Sequence, residues 1–155
     1  MAQNVYDAYW DKANNKPMID PKMGQPYVFQ ISAGSQGGWS TFNLATNDSP
    51  TLISLITNGN PKSLSIGDNV WMAPGVKTDV YSYVPTNKDA MVAVTAASDP
   101  GTFQPIVAFA PLHIDYAAGG SGKYIQVHFI NNFRFVRSDP GGPYYGAYTA
   151  ARLAQ

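Results

Sequence analysis

Apolar and polar residues alternate at every second position from Tyr124 to Phe135, which is typical of a strand with one buried face. The apolar positions are Ile125, Val127, Phe129, Phe133 and Phe135. A second apolar run, from Pro105 to Tyr116, comes before it, and a glycine-rich connector at 117–123 separates the two. The pattern therefore predicts an antiparallel hairpin that buries Phe129.

Two residues interrupt these runs. Asn131 falls at an apolar position of the second run, so we expect a β-bulge or a local exit from the core there. Pro111 lies inside the first run and has no backbone N–H to donate, which favours a bulge or an edge position. Both runs exceed the roughly five or six residues of a typical strand, so we expect the two strands to bend.

Alternating apolar residues also predict shorter strands before the hairpin. They lie at 27–32, 39–45, 64–72 and 91–96, and a turn at Gly67-Asp68 divides the third of them into two. The stretch 78–84 fits either a capped helical turn or an irregular strand. Several short strands separated by turns favour an all-β domain over alternating strands and helices.

One helix is predicted between residues 48 and 58. Asp48 or Ser49 is suited to the N-cap, and Pro50 is suited to the first helical position. Gly59 is suited to the left-handed conformation that ends many helices. These local signals define a short helix with an apolar face.

The two ends of the chain differ from its middle. Residues 1–26 are polar and predict an irregular arm with one helical turn, held by its aromatic side chains. Residues 138–155 are rich in glycine, proline and tyrosine and predict a tail. We therefore expect a single compact β domain at 27–137, either barrel-like or a sandwich, with one or two short helices.

Composition supports this fold and narrows the function classes. All ten acidic residues are aspartate, and 14 glycines and 12 prolines occur in 155 residues, which favours turns over long helices. The net charge is zero and the basic residues are scattered, which disfavours nucleic acid and anionic membrane as partners. No apolar run reaches the roughly 18 to 20 residues of a spanning helix, and no signal peptide is visible.

Candidate chemistry is sparse. His113 and His128 lie on different predicted strands and, if they met across the hairpin, would share a metal with Asp115 as a third ligand. Their spacing matches no ligand motif, so we predict partly exposed strand residues and no metal or other cofactor. Asp68 and Asp79 are the other candidates for paired carboxylates, but a Gly-Asp turn uses its carboxylate locally. No Gly-x-Ser-x-Gly turn is present, and we predict no catalytic residue and no enzyme.

Aromatic residues are the remaining candidates for binding. Trp39, Trp71, Tyr144, Tyr145 and Tyr148 are predicted to contact a partner protein or to stack on sugars. The structural alternatives are core or edge packing for the two tryptophans and, for the three tyrosines, a tail that folds back over its own domain.

The order of these features resembles a known family. The matching features are the Gly37-Gly38-Trp39 turn, the helix ending in Asn58-Gly59, the Gly67-Asp68 turn before Pro74-Gly75, the apolar strand Ile106 to Ala110, and the closing strand Gly122 to Phe129. From Tyr27 to Phe133, about two thirds of the chain, the sequence resembles the C-terminal extracytoplasmic region of TadG-like proteins of the tight-adherence (Tad, Flp-type) pilus-assembly group.

The resemblance implies a non-enzymatic domain that acts through contacts with other pilus or cell-envelope proteins. It implies a periplasmic or cell-surface location, as an exported domain whose anchor is absent here. Two alternatives stay open: a self-assembling structural subunit of a surface filament or shell, which would be a homo-oligomer, and a small β-barrel metal-binding or hydrolytic module that uses His113, His128 and Asp115.

Overall fold

A computed structural model of the chain describes residues 1–34, 36–75 and 77–131. Its helical elements are α1 (Gln3–Tyr9), α2 (Ser49–Asn58) and a 3-10 helix (Thr78–Tyr83). Its strands are β1 (Trp10–Asp11), β2 (Lys16–Pro17), β3 (Ile19–Asp20), β4 (Gln25–Pro26), β5 (Val28–Ile31), β6 (Ser40–Phe42), β7 (Asn69–Met72), β8 (Lys88–Thr95), β9 (Thr102–Ala118) and β10 (Tyr124–Phe129). The prediction of a mainly β fold with few short helices is confirmed.

Six antiparallel strands form the main sheet. Five of them pair in the order β5–β10–β9–β7–β6, and β8 lies off this path and pairs with β9. The 17-residue strand β9 is therefore shared by β7, β8 and β10. In the described part of the chain β5 and β6 do not pair with each other, so the sheet does not close into a barrel. Two small hairpins, β1–β2 and β3–β4, lie before the sheet in the sequence.

The predicted hairpin is confirmed over the described residues, because β9 and β10 pair antiparallel. Phe129 is 1% exposed and Val127 is fully buried, as the alternation predicts. The bulge lies elsewhere than expected: the register shifts between Gln126 and Val127, so Asp115 is the extra residue of β9. Asn131 comes after the end of β10 at Phe129.

No bulge lies at Pro111, but its nitrogen faces a stretch of the β9 edge that neither β10 nor β7 pairs with, in line with the predicted edge position. Pro111 pairs with Met91 of β8, while its carbonyl accepts a hydrogen bond from Ile130 on the opposite side. The N and C=O of an extended residue point to the same side, so β8 does not require an N–H from this proline. β10 ends at Phe129, just where a ladder bond to the proline nitrogen would otherwise be needed.

The main core lies between the sheet and the N-terminal residues. The ring of Phe129 contacts those of Tyr6, Trp10 and Phe29, with centroid separations of 5.8, 5.5 and 5.2 Å. Tyr9 stacks on Phe29 at 4.2 Å. The aromatics therefore hold the N-terminal segment as predicted, although α1 and two hairpins replace the irregular arm.

The first two residues extend this packing to the edge of β8. The Met1 amine donates to the carbonyl of Ala93 at 3.0 Å, and the Met1 carbonyl accepts from the backbone N–H of Thr95 at 2.9 Å. A Cβ atom at Gly37 would lie 3.4 Å from the Met1 Cα atom and 3.3 Å from Ile31. The loop that contains Gly37 can approach Met1 closely because glycine has no side chain.

A second, smaller core lies beneath α2 and the 3-10 helix. Its buried members are Leu52, Ala73 and Val80. Asp48 caps α2 by accepting from the backbone N–H of Thr51 at 2.8 Å, and Gly59 follows the helix with φ of 80°. The predicted helix is confirmed, with Pro50 at its second position.

Two of the predicted strands are shorter than expected. β6 ends at Phe42, whose φ of 57° is left-handed and breaks the extended conformation predicted to residue 45. The first half of 64–72 is a turn, in which the Asp68 carboxylate accepts from the backbone N–H of Ser65 at 2.7 Å. The expected local role of Asp68 is confirmed. No helix among the described residues is long and apolar enough to cross a membrane.

Candidate functional site

The side of the sheet that faces away from the main core carries the titratable groups of interest. Because successive residues of a strand point to opposite faces, the neighbours of buried Phe29, Leu112 and Val127 point outward. We call this the outer face, and it comprises Val28, Gln30, Asp89, His113, Asp115, Tyr116, Tyr124, Gln126 and His128. All nine residues are half-buried or exposed.

His113 and His128 lie side by side on the outer face. They are direct partners in the register of β9 and β10. Their ring centroids are 5.2 Å apart, and the ring planes are inclined by 34°. Each side chain keeps about a quarter of its surface accessible, 28% for His113 and 26% for His128. The fold therefore joins the two histidines that the sequence separates by a glycine-rich turn.

Each histidine is held by an aspartate through the same ring atom. Nδ1 of His113 lies 2.7 Å from Oδ1 of Asp89, its register partner on β8. Nδ1 of His128 lies 3.1 and 3.0 Å from the two carboxylate oxygens of Asp115. We call these four side chains the row: Asp89 lies on β8, His113 and Asp115 lie on β9, and His128 lies on β10.

The β-bulge in β9 explains the second of these contacts. Gln126 is paired with Tyr116 and Val127 with Ile114, which leaves Asp115 without a direct partner on β10. An extra residue bends its strand and redirects its side chain. Asp115 consequently reaches His128 on the neighbouring strand.

The carboxylates define the tautomer of both rings. An ionised carboxylate only accepts hydrogen bonds, so each Nδ1 must carry the proton of the bond. In the neutral imidazole the lone pair then lies on Nε2. No described residue is hydrogen-bonded to either Nε2 atom. Within the described residues, both lone pairs are therefore unused.

Among the described residues, the row is not accompanied by the other parts of a hydrolytic site. An Asp–His pair activates a nucleophile only if a hydroxyl or thiol lies within hydrogen-bond distance of the second ring nitrogen. The chain has no cysteine, and no described hydroxyl bonds to His113 or His128. Of the other predicted carboxylates, Asp68 caps its turn and Asp79 lies exposed in the 3-10 helix, so neither joins the row.

Trp39 and Trp71 lie away from the outer face. Both are half-buried and pack against the second core, Trp39 edge-on to Tyr81 at 5.1 Å and Trp71 edge-on to Phe103 at the same separation. Their indole N–H groups are buried and have no hydrogen-bond partner in the described part of the chain. Their predicted contact with a partner stays a prediction, as does that of Tyr144, Tyr145 and Tyr148, which lie outside the described residues.

One open cleft of about 290 Å³ lies on the other side of the molecule, between the N-terminal segment and β9. It is lined by Gln3, Tyr6, Trp10, Lys12, Asn15, Val107 and Ala108. These residues include one lysine but no histidine and no acidic side chain, so they form no acid–base pair.

The sequence raises a meeting of His113 and His128 across the hairpin but does not fix the register that decides it. Next to the turn Tyr124 pairs with Ala118, and that register alone would place His128 opposite Ile114. The extra residue Asp115 shifts the register by one, so that His128 faces His113. The place of Asp89 depends in turn on how the separate strand β8 pairs with β9.

Comparisons with known proteins add no relative to this description. A scan of the sequence against protein-family models gives no match, and searches of curated proteins and of solved structures give no significant match. The function must therefore be inferred from the residues of the chain and their geometry.

Proposed function

We propose that the chain is a non-enzymatic, extracytoplasmic domain of a Tad-type pilus-assembly or cell-surface protein, and that it acts through contacts with other proteins. The observation that supports this proposal best is the outer face. Val28 is 56% exposed and Tyr116 is 51% exposed on it, and no described element packs over them. Exposed apolar and aromatic side chains on one sheet face suit a protein interface.

The chemistry of the outer face also fits a contact surface. Gln30, Gln126 and Tyr124 combine apolar area with hydrogen-bonding groups, and the rings of Tyr116 and Tyr124 lie 6.0 Å apart. Tyrosine offers a large contact area at a low cost in conformational entropy. The partners are other pilus or cell-envelope proteins, or further copies of the chain in a filament or shell.

Photo-crosslinking in the producing cell tests this function. A photoreactive amino acid replaces Val28 or, in a second variant, Tyr116. The matched control replaces Met23, which is 72% exposed in the β3–β4 turn and lies off the outer face. We expect adducts with a cell-envelope protein or with a second copy at positions 28 and 116, and none at position 23. An absence of adducts at both outer-face positions would contradict the proposal.

A further inference from the structure

Both histidines of the chain lie next to each other on the outer face. The sequence contains two histidines and no cysteine, so His113 and His128 are its only strong nitrogen or sulfur ligands for a borderline-soft metal ion. They are neighbours at 5.2 Å between ring centroids, and both keep their Nε2 atoms unpartnered among the described residues.

The carboxylates supply a second, independent feature of metal sites. Histidines that bind a metal almost always donate the other ring N–H to a carboxylate or a carbonyl, which fixes the tautomer and makes the ligating nitrogen more basic. Asp89 and Asp115 hold the Nδ1 atoms of His113 and His128 in this way, at 2.7 and 3.0 Å. Both rings therefore have the hydrogen-bonding pattern of ligands rather than of isolated surface histidines.

The separation of the rings is compatible with one shared ion. Two nitrogens that each lie about 2.1 Å from the same ion are at most about 4.2 Å apart. The ring centroids are 5.2 Å apart, so a shared ion requires the two rings to turn about their soft terminal torsions until the Nε2 atoms lie within this limit.

We propose that His113 and His128 bind one divalent transition-metal ion of the Zn²⁺, Cu²⁺ or Ni²⁺ class through their Nε2 atoms. Asp89 and Asp115 act as positioning residues, and water fills the remaining coordination positions. Within the described ranges no group of three or more acidic or histidine side chains is arranged to hold a metal, so the proposed site draws two ligands from these residues. The proposal departs from the sequence-based expectation of no metal, because spacing along the chain does not reveal the cross-strand register.

Isothermal titration of the metal-free protein with Zn²⁺ tests the stoichiometry and the ligands. We expect one ion per chain, and loss of detectable binding in His113→Gln and in His128→Gln. Asp115→Asn keeps both ligands but not the carboxylate, and we expect it to weaken binding about 10- to 100-fold. Gln126→Ala, on the same face and strand as His128, is the matched control and should bind Zn²⁺ like the unmodified chain.

NMR of the imidazole signals tests whether the ion is shared. With only two histidines, the chain gives two sets of ring signals. We expect both sets to change together and to saturate at one equivalent of Zn²⁺. Thermal unfolding of each variant without metal identifies any loss of binding that comes from misfolding, and Asp115→Asn gives a graded result if a histidine variant does not fold.

Three results would overturn the proposal. The first is no Zn²⁺ binding by the unmodified chain up to millimolar concentration. The second is binding that persists in the double variant His113→Gln, His128→Gln. The third is independent saturation of the two rings with two ions per chain. None of these results bears on the crosslinks at Val28 and Tyr116, so the two proposals fail separately.

Discussion

At the scale of the residue, Phe129 is where the N-terminal segment meets the sheet. It is 1% exposed and contacts three aromatic rings. We expect Phe129→Ala to lower the free energy of unfolding by about 3 to 5 kcal/mol, because the lost ring leaves a cavity that its neighbours cannot fill. Urea unfolding measures the change. Phe103, which is 47% exposed, is the matched control, and its alanine variant should lose at most about 1.5 kcal/mol from one aromatic pair.

A loss below about 1 kcal/mol for Phe129→Ala would contradict the inward orientation of β10, since a surface aromatic costs little to remove. His128, the neighbouring residue, points to the other face, so a one-residue slip of the strand would exchange the two environments.

The amine of Met1 predicts a dependence of stability on pH. Burial lowers the pKa of this amine from 8.0 to about 6. A folded-state pKa below the unfolded one means that folding is opposed when the amine is protonated. The contribution to stability is therefore full above pH 8 and is lost as the pH falls to about 6, by an amount on the order of 3 kcal/mol at most.

Acetylation of the Met1 amine supplies the control for this prediction. It removes the charge and leaves an N–H that can still donate to the carbonyl of Ala93. Urea unfolding at pH 8 and pH 6 is compared for the two forms, and their difference isolates the amine from other groups that titrate in this range. An equal pH dependence of both forms would contradict the prediction.

At the scale of the element, α2 depends on its N-terminal cap. Hydrogen bonds from the hydroxyl of Thr46 and from Thr51 lower the pKa of Asp48 from 3.8 to about 2. The stability that this carboxylate contributes is therefore present above pH 3.8 and is lost as the pH falls through about 2. We expect Asp48→Ala to destabilise the chain at pH 7, because the N–H of Thr51 loses its acceptor.

Asp48→Asn is the matched variant for the cap. Asparagine caps helices about as well as aspartate and does not ionise. We expect it to retain most of the stability at pH 7 and to lack the part of the acid-induced loss that comes from Asp48. Thermal unfolding between pH 2 and pH 5 compares the unmodified chain with the two variants. Identical acid profiles for the unmodified chain and Asp48→Asn would contradict the assigned role.

The elements show which features of the fold a sequence can predict. Alternation predicted β5 and β10, and cap residues predicted α2, because these signals lie within the element itself. Alternation failed where pairing decides the outcome. The position that Pro111 can occupy depends on which of the strands beside β9 needs a ladder hydrogen bond from residue 111. The bulge at Asp115 depends on the register between β9 and β10. The row of aspartates and histidines depends on the same register, and so it could not be predicted from spacing alone.

At the scale of the whole molecule, the tail that follows the described residues carries the last sequence-based prediction. The stretch from Asp139 to Tyr148 holds three tyrosines behind two prolines and two glycines, and we predict that it contacts a partner. Truncation after Ser138 should leave the urea midpoint nearly unchanged and abolish association, measured by sedimentation velocity. A large loss of stability with association intact would identify the tail as an intramolecular strap.

The docking of the N-terminal residues also has a consequence for biosynthesis. Met1 bonds to Thr95, and Tyr6 and Trp10 pack on Phe129, so residues made early have partners among those made much later. At about 5 to 20 residues per second, translation from Met1 to Phe129 takes roughly 6 to 25 s. Throughout that time the aromatic face of α1 lacks the surface that covers it in the folded chain. We therefore expect the main core to close only after β10 has left the ribosome, because Phe129 supplies the surface on which Tyr6 and Trp10 pack.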